Sequence, residues 1–83
     1  MKSFILISID SDFKPLMNIN RIIVTQSAEK AALEFMASAF SGSDGIILAK
    51  LKIQNESGHT KTFDVRRMPI VKNKNKVYKH FVV

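Results

Sequence analysis

One stretch of this chain, from Ser27 to about Phe40, has the apolar spacing of an amphipathic helix, and no other stretch does. Ser27 is a favourable N-cap residue, and Glu29 lies where the helix dipole favours an acid. At about 100° per residue the apolar side chains share one face: Ala28, Ala32, Leu33, Phe35, Met36, Ala39 and Phe40. Because one helix covers only one face of a sheet, this feature predicts an α+β fold with a single helical layer.

The rest of the chain has the pattern of β-strands. We predict strands at Lys2–Asp10, Asn18–Gln26, Ile46–Gln54, Thr60–Met68 and Val77–Val83. The fold is then an antiparallel four- or five-stranded sheet with a single helix packed on one face, in β-β-α-β-β(-β) order. Pro69 should end the fourth strand, since proline cannot donate to a ladder. Eighty-three residues fill one core, so residues 1–83 should form a single domain.

The first predicted strand is apolar on both sides. Phe4 and Leu6 alternate with Ile5, Ile7 and Ile9, which should point to the opposite face. A strand of this kind lies inside a sheet whose two faces are both covered. Because the only helix covers one face, we expect a second copy of the chain to cover the uncovered face or to pair with an edge strand, giving a homodimer.

Several classes of site are excluded or disfavoured. The chain has no cysteine, so it forms no disulfide and no thiolate metal site. Asp10 and Asp12 lack the further oxygen ligands of a calcium loop, and we predict no metal and no cofactor. The apolar run Phe4–Ile9 is far shorter than the roughly 20 residues that cross a bilayer. We therefore expect a cytoplasmic protein that does not associate with membranes.

Charge divides the chain into two unequal halves. Residues 1–49 hold four basic and five acidic residues, whereas residues 50–83 hold nine basic residues against Glu56 and Asp64. Residues 66–83 form a basic C-terminal segment without any acid. A charge field of one sign attracts polyanions over a Debye length of about 8 Å, although a basic surface can also serve solubility alone.

The predicted binding site is a set of cations interleaved with rings. If the third and fourth strands pair simply, Lys50, Lys52 and Arg66 share one face, whereas a one-residue slip would place Lys61 and Arg67 there. The segment Lys72–Lys76 should be an exposed turn or an extended arm. We expect one outward surface that contacts phosphates through Lys50, Lys52, Arg66, Arg67, Lys72, Lys74, Lys76 and Lys79, with Tyr78 or His80 stacking on a base.

This pattern predicts a non-catalytic nucleic-acid-binding accessory protein. Lysine outnumbers arginine, which suits phosphate contacts better than reading of bases. Because no groove-reading helix is present, RNA or a single strand is preferred over duplex DNA. Core packing is the alternative role for Tyr78 and Phe81.

Two other functions stay open. The basic face could dock on an acidic partner protein, such as a host protein. A small ribonuclease would need His80 as its general acid or base, but no nucleophile or carboxylate stands at a recognisable spacing. We therefore do not expect an enzyme.

The order of elements resembles that of small phage or mobile-element proteins that block host defences, including anti-CRISPR proteins and inhibitors of toxin–antitoxin ribonucleases. The shared features are a short first strand (Lys2–Asp10), a Ser-capped, alanine-rich helix (Ser27–Phe40) and the β-strands that follow. This resemblance implies a counter-defence inhibitor that acts by binding, and it assigns no individual site residues.

Overall fold

The computed structural model describes residues 1–12, 14–15, 20–41 and 45–83, and it has one helix packed against a five-stranded antiparallel sheet. The elements are β1 (Lys2–Ser11), β2 (Ile22–Thr25), α1 (Ala28–Ala39), β3 (Ile47–Gln54), β4 (Thr60–Lys72) and β5 (Asn75–Val82). The strands lie in the order β2-β1-β3-β4-β5, and every neighbouring pair is antiparallel. The predicted α+β layout is confirmed, with five strands.

The helix forms where the sequence predicts it. The Ser27 hydroxyl accepts a hydrogen bond from the Lys30 backbone N–H at 3.2 Å, which satisfies one of the free donors of the first turn. Ala31, Ala32, Phe35, Met36 and Ala39 are buried against the sheet. Ala31 is buried although it lies outside the apolar face that the sequence predicts. Gly42, a candidate for the left-handed residue after the helix, lies outside the described residues.

The side of the sheet beneath α1, here called the covered face, holds the core. Its buried strand residues come from three adjacent strands: Phe4 and Leu6 in β1, Ile47, Ala49, Leu51 and Ile53 in β3, and Val65 in β4. The opposite side, the uncovered face, carries the alternate residues. Lys50 and Lys52 lie there in β3, and Arg66 lies there in β4 opposite Leu48. The prediction that these three cations share one face is therefore confirmed.

A β-bulge in β1 changes one predicted orientation. The register with β3 shifts between Leu6 and Ser8, so that Ile9 pairs with Leu51 and packs against the core. The prediction that Ile9 points to the same side as Ile5 is wrong, because an extra residue in one strand reverses the alternation beyond it.

The fourth strand is longer than predicted. β4 continues through Pro69 to Lys72, and Pro69 pairs with Tyr78 of β5. The Val83 N–H donates to the Asp64 carbonyl, so even-numbered backbone groups of β4 face β5 and odd-numbered groups face β3. The last β4 residue that pairs with β3 is Arg67. The nitrogen of Pro69 therefore points toward the β3 side of β4, where no strand of the described residues lies beside it. No ladder hydrogen bond is lost, so the proline does not end the strand.

Beyond β3, the strands β4 and β5 form a two-stranded hairpin, here called the arm (residues 68–79). Five ladder pairs hold it together, from Met68↔Lys79 to Lys72↔Asn75. At about 3.3 Å per residue, this overhang is roughly 16 Å long. It contributes to an elongated outline with a longest dimension of 43 Å. The arm is thus the part of the sheet least supported by the core.

Candidate nucleic-acid interface

The arm collects positive charge, and its own sequence contains no acidic residue. It contains Lys72, Lys74, Lys76 and Lys79, and all four side chains are exposed. Lys72 and Lys79 lie on the uncovered side of the arm by their register with Asn75 and Met68, whereas Lys76 pairs with Val71 on the other side. Of the two alternatives predicted for Lys72–Lys76, an exposed turn and an extended arm, the structure has the turn, because the segment folds back into a hairpin.

The tip of the arm is a tight turn made without glycine. Asn73 and Lys74 link the strands with φ values of 51° and 64°, both in the left-handed region that a type I′ turn requires. Asparagine tolerates this region, but a lysine there costs about 1 kcal/mol relative to glycine. A residue that breaks a local rule at an exposed tip is a reason to look for a function of its side chain.

A second group of cations lies on the uncovered face: Lys50, Lys52, Arg66 and Lys79. Lys50 stands between two acids on the neighbouring strands, because it pairs with Asp10 of β1 and with Asp64 of β4. Lys52 instead has Ser8 and Thr62 as neighbours. Lys50 therefore contributes little net positive field, and the basic character of this face rests on the other three residues.

The acids near Lys50 also line a shallow depression of about 250 Å³. Its walls are Asp10, Ser11, Asp12, Leu48, Ala49, Lys50 and Asp64. Within the ranges that the structure describes, no group of three or more His, Asp or Glu side chains is arranged to hold a metal ion.

Arg67 is a structural residue and not a surface cation. Its side chain is only 2 % exposed, and its Nη1 donates a hydrogen bond to the Gly45 carbonyl at 3.2 Å. Its Cζ lies 3.5 Å from the centroid of the Tyr78 ring, a close cation–π contact. The inclusion of Arg67 among outward-facing cations is wrong, because its odd position in β4 places it on the covered face.

Tyr78 and His80 also lie on the covered side. Tyr78 pairs with Pro69, and His80 pairs with Arg67. The His80 Nε2 is buried and has no hydrogen-bond partner among the residues that the structure describes. Burial, followed by the nearby Arg67 charge, lowers the pKa of this imidazole. The sequence pattern predicted rings among the exposed cations, but these two rings lie on the opposite side of the sheet from Lys52, Arg66 and Lys79.

The aromatic residue that does share the uncovered face with the cations is Phe81. It is half-buried and pairs directly with Arg66, and it lies two residues from Lys79 on the same side of β5. The alternation of β5 already places Phe81 on the side of Lys79. The same alternation is visible in the sequence, where core packing is one role open to Phe81 and no ligand contact is predicted for it.

Exposed apolar residues accompany this charge. Leu48 of β3, with Ile70 and Val77 of the arm, lies on the uncovered face, and Val71 is 77 % exposed on the other side of the arm. Ile22 and Val24 form a separate apolar pair at the β2 edge. Leu48, Ile70 and Val77 therefore place exposed apolar groups beside the cations of the uncovered face.

Comparison with protein-family models, with curated proteins and with solved structures finds no match to this chain. The likeness to counter-defence proteins thus depends on layout alone and stays a prediction. Among the described residues, no helix has the length and apolar character needed to cross a membrane.

Proposed function

We propose that this chain is a basic, non-catalytic nucleic-acid-binding protein in which the arm makes the main contacts with phosphates. The observation that carries the proposal is the arm itself: four lysines, no acid, and a lysine at a turn position that glycine would occupy more favourably. An exposed ribbon of one charge sign projecting from the molecule meets a polyanion before the acids of the sheet do.

Arg66, Lys79 and Phe81 support the proposal on the adjoining uncovered face. They form a continuous path from the arm toward β3, with a ring beside two cations. Bases of a single strand stack on such rings while the backbone follows the cations. RNA or single-stranded nucleic acid is therefore the first candidate ligand. A two-stranded ribbon also fits the major groove of B-DNA, so duplex DNA belongs in the test.

The test is a salt series of fluorescence anisotropy with a labelled single-stranded RNA, a single-stranded DNA and a DNA duplex of equal length. We expect binding that weakens linearly in log–log form as salt rises. Replacing Lys72, Lys74 and Lys79 by Gln should lower the slope by about 2 on a single strand and about 3 on duplex DNA. The matched control replaces Lys2, Lys30 and Lys61, which are exposed lysines outside the arm. The absence of binding to all three ligands at low salt would remove the proposal.

A second candidate is docking on an acidic partner protein, and the exposed Leu48, Ile70 and Val77 beside the cations favour it. The two candidates differ in what accompanies the purified protein. Co-purified nucleic acid raises the 260/280 absorbance ratio measurably, because the chain has one tyrosine and no tryptophan. A partner retained after nuclease treatment, with a normal ratio, would favour the protein.

Protein docking also fits the predicted role as an inhibitor of a host nuclease or toxin system. The ribonuclease alternative predicts instead that His80→Ala abolishes cleavage and leaves binding intact.

A further inference from the structure

The two edges of the sheet differ in how they are protected against another strand. β5 forms one edge and carries Lys76 and Lys79, and lysines on an edge strand discourage further pairing. β2 forms the other edge and reads Ile-Ile-Val-Thr, with no charge and no proline. β-Branched residues favour strands, and nothing in this element blocks strand addition.

The hydrogen bonds of β1 show which backbone groups of β2 face outward. The Leu6 N–H donates to the Arg21 carbonyl at 3.0 Å, and the Leu6 carbonyl accepts from the Asn20 N–H at 2.7 Å. The Ser3 N–H points the other way, toward the Glu56 carboxylate at 2.8 Å. Phe4, which alternates with Ser3, therefore directs its backbone groups to its partner Ile23.

The backbone groups of the alternate residues Ile22 and Val24 consequently point away from the sheet. These two residues also expose their side chains, by 60 % and 57 %, on the uncovered face. The outward backbone groups and the exposed side chains have one explanation: among the residues that the structure describes, no strand lies on this side of β2.

We propose that β2 is a strand-pairing site for a second copy of this chain, which adds its own β2 in antiparallel orientation. In the register that places Ile22 opposite Val24 of the copy, each outward N–H meets an outward carbonyl. The two pairs are equivalent by a two-fold axis perpendicular to the sheet. The same register places each exposed isoleucine against an exposed valine on one face, and Ile23 against its own copy on the other.

A second copy is a better occupant of this edge than of the remainder of the uncovered face. Covering the whole face would bury Lys50 with Asp10 and Asp64, and buried charges are costly to desolvate. Pairing at β2 joins neutral residues only. It extends the two sheets into one and leaves the arm of each copy free, at opposite ends of the dimer.

The first test is the mass in solution of the full chain, measured by sedimentation equilibrium from about 10 µM to 1 mM, a range that covers weak complexes. We expect a rise from the 9.4 kDa of one chain toward twice that value. Ile22→Lys with Val24→Lys should raise the dissociation constant at least tenfold. Val71→Lys, at another exposed apolar residue, should leave it unchanged. A constant single-chain mass, or a dimer that persists in the double variant, overturns the proposal.

A second measurement needs no variant, so it does not depend on whether a substituted chain folds. Amide hydrogen exchange of the unmodified chain, followed at low and high protein concentration, should slow at Ile22 and Val24 as the dimer forms. Exchange at Ile23, whose N–H already bonds to β1, should not change beyond the general trend. If protection appears at β5 instead, or only after a different protein is added, β2 is not the site of self-pairing.

Discussion

Val65 and Val71 lie in the same strand and on the same side of it, yet one is fully buried and the other is 77 % exposed. The difference is what surrounds them. Val65 has β3 beside it and α1 above it, whereas Val71 lies in the arm, where β5 is the one described strand that pairs with β4. An isolated two-stranded hairpin is at best marginally stable in water. The core therefore explains the first region of β4, and the second is the region that we propose for binding.

The largest expected effect is on the free energy of unfolding, and it comes from a residue of the core. Phe35→Ala removes a fully buried ring of α1 and should lower the free energy of unfolding by about 3–5 kcal/mol. Val71→Ala should change it by no more than about 0.5 kcal/mol. Urea unfolding followed by circular dichroism measures both. A comparable loss in the two variants would mean that the arm is part of the core.

Arg67 lies at the boundary between the two regions. Arg67→Ala removes the hydrogen bond to Gly45 and the stacking on Tyr78, and it should cost about 2 kcal/mol. Arg67→Lys should not restore the full stability, because an ammonium cannot reproduce a planar stacked contact. Lys79→Ala is the control, with an exposed cation on the next strand. Equal stability of all three variants would contradict a structural role for Arg67.

Lys74→Gly separates stability from binding within the arm. Glycine adopts a φ of 64° without strain, so the variant should gain about 1 kcal/mol of stability, offset in part by the greater freedom of the unfolded chain. Nucleic-acid binding should weaken, with a decrease in salt slope of a little under 1. Lys74→Asn is the control, since it removes the charge and keeps a residue that tolerates this conformation. Unchanged binding in both variants would exclude the tip as a contact.

The smallest effect concerns His80 and pH. Its folded-state pKa is lowered, first by burial and then by Arg67, so the folded chain takes up a proton less readily than the unfolded chain. The contribution of neutral His80 to the free energy of unfolding is therefore fully present above the unfolded pKa of about 6.5, and it is lost as the pH falls through the folded pKa. The urea midpoint should be lower at pH 5.5 than at pH 7.5. His80→Gln should reduce this difference, and His59→Gln, at an exposed loop residue, should not.

The periodicity of the sequence was enough to predict the helix and the face on which Lys50, Lys52 and Arg66 lie. Once one face of a strand is buried, the alternation of its side chains decides which residues face outward. The buried residues of β3 determine which face that is. The capped start of α1 was predictable for the same local reason, since a serine before an apolar helical face satisfies free backbone donors.

Other features depended on contacts between distant segments. A proline ends a strand only where its missing donor is needed, and this depends on how far β3 extends beside β4. The burial of Arg67 depends on Tyr78 from another strand and on the carbonyl of Gly45. No residue type in β1 indicates the bulge, so the orientation of Ile9 was not predictable from alternation.

Pro69 has a consequence for the behaviour of the protein in concentrated solution. The outer margin of β4 along the arm would otherwise offer the backbone donors of alternate residues to any extended peptide nearby, and the exposed Ile70 and Val71 side chains would strengthen such pairing. The ring of Pro69 removes one of those donors at the root of the arm. Pro69 thereby disfavours the addition of a strand along this margin, while the exposed side chains of the arm face solvent.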